Sequence, residues 1–327
     1  MSLTPLITLA FLIQESIGQI ICAQQNVTCT DFDLVKIYWN LNGLHQDDPN
    51  LIDFIKNNVL VPPDPLSLEM LGGPSARRIM GQFDQVPMVE KLLGLKKNKM
   101  KGFFIEAGAA CGEHLSNTLY LEMIYGWTGL LVEPNPDMLA KLYSKHRNAW
   151  TLPHCLSTKP MVEVVTFDAS YYNSGIMLDG KIKPSYLGRD PIKRPPRKYE
   201  RELQVQCFPL FSVLQALKNP KIDYFSLDIE GAEYVVLETL PWDKINMTLL
   251  SIETNHAGDI FPGSREDIKI FLEDRGYKLK ETVVIDDFFI QKRLSEPQLS
   301  SREVPVSKID SPKSTFGGRR HGACPIK

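Results

Sequence analysis

The chain has no charge of one sign to spare: its 327 residues carry 37 Lys and Arg against 39 Asp and Glu. That balance argues against a nucleic-acid binder, which usually shows a basic excess. The local basic stretches 96–101 and 193–201 read as solvated loops. No internal repeat is present, which excludes a solenoid. The six cysteines (Cys22, Cys29, Cys111, Cys155, Cys207 and Cys324) include no CxxC pair, so a zinc site is not expected. A long apolar run is also missing. Leu3–Ile13 and Ile17–Ala23 are interrupted by Gln14 and Glu15, whereas a spanning helix needs about 20 predominantly apolar residues. The first run suits the core of a signal peptide, and Ala23 offers a small residue for cleavage, but no Lys or Arg precedes Lys36. A cleaved signal peptide, a retained anchor and an amphipathic helix therefore stay open for residues 1–23, with membrane association through 3–23 one of the outcomes.

Two glycosylation sequons, Asn26-Val27-Thr28 and Asn246-Met247-Thr248, agree with passage through the secretory pathway. The second lies beside an apolar strand. Cys155 and Cys207 are candidates to pair in an oxidising compartment. The expected location is the lumen of the endoplasmic reticulum or Golgi, membrane-associated or secreted.

Apolar residues at helical spacing from 31 to 60 end at Pro62, Pro63 and Pro65, and this part reads as an extension of helix and loop covering 24–77. A helix is expected over Val86–Leu95, capped by Asp84. From there strands and helices alternate. Strands are expected at 102–106, 129–133, 151–156, 162–167, 222–228 and 249–253. Helices are expected at 116–125, 136–145, 212–217, 232–240 and 265–275. Residues 278–284 and 288–292 read as a closing hairpin turning at Asp286–Asp287. This order predicts an α/β domain with a mostly parallel sheet covered on both faces. Segment 170–201, rich in Gly, Pro and charge, reads as an insertion, and 294–327 as a disordered tail.

The chemistry gathers at strand ends. Phe103–Glu106 delivers its carboxyl end to the small-residue turn Gly108-Ala109-Ala110-Cys111-Gly112. Ligands of open α/β sheets bind there, and small residues let the backbone approach them. The turn is not a dinucleotide GxGxxG, because Ala110 and Glu113 stand where the second and third glycines would fall. The next strand ends in Glu133, placed to accept hydrogen bonds from both hydroxyls of a ribose. A third strand ends in Asp228-Ile229-Glu230-Gly231-Ala232-Glu233. Asp228 and Glu230 are candidates for general-base work; the bland alternatives are helix capping and dipole complementarity. His256 is the candidate imidazole base. Asp228, Glu253 and Asn255 offer oxygens of a kind Mg²⁺ takes, but no metal ligand is assigned. His154, Leu156 and Ser157 follow the third strand, and Ser157 is a candidate cofactor contact. Cys111 is read as packing in the turn.

With these residues in place, the chain resembles the FkbM family of methyltransferases. The matching blocks are FIEAGAACGE (104–113), GLLVEPNP (129–136) and IDYFSLDIEGAE (222–233). SNTLYLE (116–122), HCLS (154–157), QCFPL (206–210) and LPWDKI (240–245) look closer to the animal branch that includes the protein Star. The resemblance covers roughly residues 78–293 and implies a Rossmann-like methyltransferase fold and S-adenosylmethionine as cofactor. Glu106, Gly108 and Gly112 match the family's first motif, Glu133 its ribose acid, and Asp228, Glu230 and Gly231 its third motif. With Ala109 and Ser157 added from the reading of the residues themselves, Glu106, Gly108, Gly112, Glu133 and Asp228 would contact the cofactor, Glu106 at the cofactor's cationic methionine end. Asp228 and Glu230, with His256 added likewise, would act on an acceptor hydroxyl. The family commonly has asparagine after the Gly-Ala of the turn, and Ala110 stands there instead. The Star-like branch implies a rival function, non-catalytic support of vesicle trafficking for a membrane or secreted client protein.

Overall fold

The computed structural model describes residues 41–64, 81–98, 100–169, 174–178 and 202–292. The candidate leader, the first sequon, most of the insertion and the tail lie outside the described residues. Among the described residues no helix is long and apolar enough to cross a membrane.

Seven strands form the main sheet: β1 (Phe103–Ala107), β2 (Thr128–Val132), β3 (Trp150–Leu152), β8 (Ile222–Leu227), β9 (Met247–Glu253), β10 (Tyr277–Val283) and β11 (Asp286–Gln291). Their order is β10-β11-β9-β8-β1-β2-β3. β3, β2, β1, β8 and β9 pair in parallel. β11 pairs antiparallel with both β9 and β10, so the expected hairpin closes one edge of the sheet, with β11 inside and β10 outermost.

Successive residues of these strands serve opposite faces. Ile105, Leu130, Phe225 and Leu250 belong to one core, and Phe104, Leu131, Tyr224 and Leu249 to the other. Both faces are apolar because both are covered, as parallel sheets require. The first face is covered by α6 (Leu210–Ala216), α7 (Glu233–Glu238) and α8 (Arg265–Asp274). The second is covered by α2 (Gln85–Leu93), α4 (Leu119–Tyr125) and α5 (Pro136–Tyr143). The segment before the domain is no appendage. Leu51 of α1 (Pro49–Phe54) and Ile55 and Val59 of the π-turn that follows are fully buried in the first core.

Several expectations shift. Asp84 does not cap α2: its backbone is left-handed, at φ 62°, and its side chain makes no capping bond. The helix expected from 116 begins at Leu119, because Ser116, Asn117 and Thr118 are drawn into the site described below. The hairpin turns at Val284–Ile285. Asp286 and Asp287 lie buried within β11, where Gln85 donates to Asp286 at 2.8 Å and Arg265 forks onto Asp287.

The strand expected over 151–156 breaks at Pro153, and its second half leaves the main sheet. β4 (Cys155–Leu156), β5 (Glu163–Asp168), β6 (Gly175–Ile176) and β7 (Glu202–Phe208) form a second sheet in the order β4-β7-β5-β6. Cys155 and Cys207 are register partners and form a disulfide with a Cα–Cα distance of 4.4 Å. Among the described residues no cysteine is free, and Cys111 is also disulfide-bonded. The Cys155–Cys207 bridge spans 52 positions, and closing a loop of that length in the unfolded chain is worth roughly 4 kcal/mol. Changing both cysteines to serine is expected to lower the unfolding free energy by about that amount, measured by denaturant titration.

Candidate functional site

The carboxyl ends of β1, β2, β8 and β9 open into a cavity of about 320 Å³. Glu106, Gly108, Ala109, Glu133, Asp228, Glu230 and His256, all singled out by sequence, line it. Gly112 and Ser157 do not. Gly112 has φ 73°, and a Cβ there would meet the Leu142 side chain at 3.2 Å, so it serves the packing of the turn on α5. The Ser157 hydroxyl is engaged in its own turn, 2.7 Å from the Met161 carbonyl and 2.9 Å from Glu163. Leu156 lines the cavity; His154 packs edge-on against Phe208, and burial pushes its imidazole down to about 4.

Glu106 is buried at the end of β1 and is claimed from within the chain. It accepts from Ser116 Oγ at 2.9 Å, from the Asn117 backbone N–H at 2.6 Å and from Thr118 Oγ1. Burial raises its carboxyl above the usual range, while Arg147 and these donors pull the other way. Its evident work is to fold segment 116–118 over the cavity. Arg147 secures that segment from behind. It donates to Glu122 at 2.7 Å, to the Gly112 carbonyl and to Thr118 Oγ1 at 3.0 Å. Lys145 pairs with buried Glu113 at 2.7 Å.

Glu133 stands at the end of β2. Its Oε2 accepts from the Ala110 N–H and its Oε1 from the Asn135 N–H, both at 2.7 Å. Each oxygen keeps a further lone pair for a ligand. Burial pushes this carboxyl up to about 7, opposed by the two backbone donors. Asn135 also caps α5 by accepting from the Asp137 N–H, and its amide reaches Ser174 Oγ at 2.9 Å. The second sheet contributes an apolar part of the cavity lining: Leu156, Phe167 and Ile176.

The turn after β8 is shaped from beneath. The fully buried Glu233 accepts from the N–H groups of Ile229 and Gly231 at 2.9 Å. Its place is therefore under the loop, not merely at a helix dipole. Glu230 takes φ 66°. A Cβ on Gly231 would meet the His256 carbonyl at 3.2 Å, so this turn and the turn after β9 lie against each other. The side chains whose ligand atoms converge there are Glu230, Glu253 and His256; Asp228 and Asn255 line the same cavity. Gly108 marks the closest approach between β1 and β8. Its φ is 88°, and a Cβ would sit 1.9 Å from the Asp228 carbonyl oxygen.

The residues present fit a nucleoside cofactor. A buried carboxylate is posed for two hydroxyls, part of the lining is apolar, and the turn leaves no room for a side chain at its tightest point.

No curated protein matches the chain significantly in sequence. Among solved structures, magnesium protoporphyrin IX methyltransferase from Synechocystis PCC 6803 with bound S-adenosylmethionine is 10% identical, with TM-score 0.33, covering 63% of this chain and 77% of that one. The fibrillarin/Nop5p complex matches at 10% identity and TM-score 0.33, covering 71% and 93%. The METTL16 methyltransferase domain matches at 11% and 0.32, covering 76% and 99%. These likenesses are loose, and the fold rests on the strand order given above. The methyltransferase FkbM domain model matches residues 106–279, from the acid that ends β1 to the middle of β10. The chain belongs to the FkbM methyltransferase family, whose cofactor is S-adenosylmethionine.

Proposed function

We propose that this domain is an O-methyltransferase of the secretory pathway, acting on a hydroxyl of a secreted or membrane-bound acceptor. The observation that carries the reading is Glu133, held by two backbone N–H groups with lone pairs left for a ribose. When bound, S-adenosylmethionine supplies a methyl group on a sulfonium, which leaves behind a neutral thioether. The chain's own residues do the rest. Glu133 holds the ribose, Leu156, Phe167 and Ile176 shelter the base from water, and the turn at Gly108 lets the cofactor approach the backbone. Asp228 and His256 face the same cavity and are the groups able to accept the acceptor's proton. Positioning accounts for most of the catalysis, because the donor brings its own electrophile.

Ala110 favours the rival reading of a non-catalytic Star-like trafficking protein, since it removes a side chain the family commonly has. Its backbone N–H, however, makes the bond that holds Glu133, and that bond needs no side chain. Calorimetric titration of the full chain with S-adenosylmethionine and S-adenosylhomocysteine decides between them. Micromolar binding followed by a methyl group located on acceptor oxygen supports the enzyme. A folded protein that binds neither molecule sinks it.

The disulfide-bonded cysteines support an oxidising compartment. Asn246 is exposed just before β9, although Thr248 of its sequon is buried. Exported through a eukaryotic secretory pathway, the chain is expected to carry a glycan there. Glycosidase treatment should lower its mass and convert Asn246 to aspartate, and Asn246→Gln should remove that shift. An unshifted, fully disulfide-bonded protein would count against glycosylation at this position.

A further inference from the structure

We propose that Glu230, Glu253 and His256 bind a divalent transition-metal cation, with Mn²⁺ or Zn²⁺ as the best matches, at the acceptor end of the cavity. The role given to this cation rests on the O-methyltransferase reading; the binding itself does not.

The ligand atoms of the three residues all lie within 4.8 Å of one another. His256 Nε2 is 3.7 Å from Glu230 Oε2 and 4.0 Å from Glu253 Oε1. Both distances are too long for a hydrogen bond. Both are close to what an ion between them requires, since ligands 2.0–2.1 Å from a tetrahedral centre sit about 3.3 Å apart. Closing these gaps, and a separation of up to 4.8 Å between the two carboxylates, to that spacing takes movements of about 0.4–1.5 Å, within the reach of two glutamate side chains.

The imidazole is set for this task. His256 Nδ1 lies 3.1 Å from Asp259 Oδ2, which places the proton on Nδ1 and leaves the lone pair on Nε2 facing the glutamates. A carboxylate behind the far nitrogen of a histidine is the usual support of a metal ligand. Asn255 Nδ2, 3.3 Å from Nε2, is the group the cation would displace. Turning that amide presents its oxygen to the same point.

Burial supplies the driving force. The side chains of Glu253 and His256 are 5% and 8% exposed, and that of Glu230 is 12% exposed. With so little water to compete, a divalent charge held between these carboxylates interacts with them strongly. The donor set, one nitrogen and two carboxylate oxygens, suits Mn²⁺ or Zn²⁺ better than the all-oxygen shell of Ca²⁺. Three protein ligands leave a coordination position open, as catalytic sites do. The acceptor oxygen would take it. Its hydroxyl would then lose its proton more readily, and with His256 occupied by the ion the Asp228 carboxylate in the same cavity is the group left to receive that proton.

The test is titration of the metal-stripped full chain with Mn²⁺, followed by the loss of the free-ion paramagnetic resonance signal, and with Zn²⁺ by calorimetry. One ion per chain is expected. Glu253→Gln and His256→Asn should each weaken binding at least about 100-fold, and Asp259→Asn about 10-fold. Circular dichroism checks that the variants fold. Absence of stoichiometric binding to the native chain overturns the proposal, as does binding that ignores both ligand substitutions. Titration of the same samples with S-adenosylmethionine keeps the two readings apart. Cofactor binding without metal overturns the cation site alone. Metal binding that needs Glu253 and His256, without cofactor binding, upholds the site and removes its role at the hydroxyl.

Discussion

Replacing Glu133 with alanine is expected to weaken S-adenosylmethionine binding by about 100-fold or more, since two hydrogen bonds to a charged group are worth about 1.5–3 kcal/mol each. The carboxylate is buried, pre-oriented by the Ala110 and Asn135 N–H groups, and lines the cavity. Calorimetry on the native chain and the variant measures the loss, and equal affinities would remove Glu133 from the site. The same residue sets a pH dependence. Burial pushes its carboxyl up to about 7, and the anion is the form that accepts from two hydroxyls. Affinity should therefore rise as the pH climbs through about 7, and level off above it. The sign for the empty domain is opposite. Its folded-state value lies above the ordinary 4.5, so the contribution to stability is full below that ordinary value and is lost as pH rises through about 7. The span corresponds to about 3 kcal/mol. Cofactor should thus raise the melting temperature most on the alkaline side, where the empty domain is weakest.

Gly108→Ala is expected to cost roughly 4 kcal/mol of stability, combining left-handed strain with a backbone overlap. The methyl group would sit 1.9 Å from the Asp228 carbonyl oxygen, at φ 88°. That carbonyl follows directly on β8, and the Asp228 N–H is bonded to the Ala107 carbonyl at 3.1 Å. Neither partner can yield without parting β1 from β8 at the mouth of the cavity. Denaturant unfolding of the variant measures the effect, and a loss below about 1 kcal/mol would show that the turn relaxes freely. Gly43 offers a control: its φ is also positive, at 83°, but nothing lies within 4 Å of an added Cβ.

The parallel core was legible because strands buried on both faces read as unbroken apolar runs, each closed by an acid: Phe103–Glu106, Leu130–Glu133, Ile222–Asp228. The same acids led to the cavity. What stayed hidden depends on distant partners. Ser116, Asn117 and Thr118 look like a first helical turn, and only the nearness of Glu106 explains why they bond to it instead. No local pattern marks Lys145 and Arg147 as interior, yet both are buried against acids from the first motif turn and α4. The second sheet pairs Cys155 with Cys207 and Glu163 with Cys207, partners more than 40 positions apart, so no local pattern announces it. Asp286 and Asp287 imitate a turn because their partners, Gln85 and Arg265, lie on other elements.

The Cys155–Cys207 bridge has a consequence for how this protein can diversify. The chain leaves the second sheet after Ile176 and re-enters it at Glu202, and the bridge fixes β7 to the strand that lines the cavity. The point of re-entry is thereby held covalently, whatever the length of chain between 178 and 202. Added length costs little in closure entropy, only about 0.6 kcal/mol for each doubling, so insertions there leave the strands that line the cavity undisturbed.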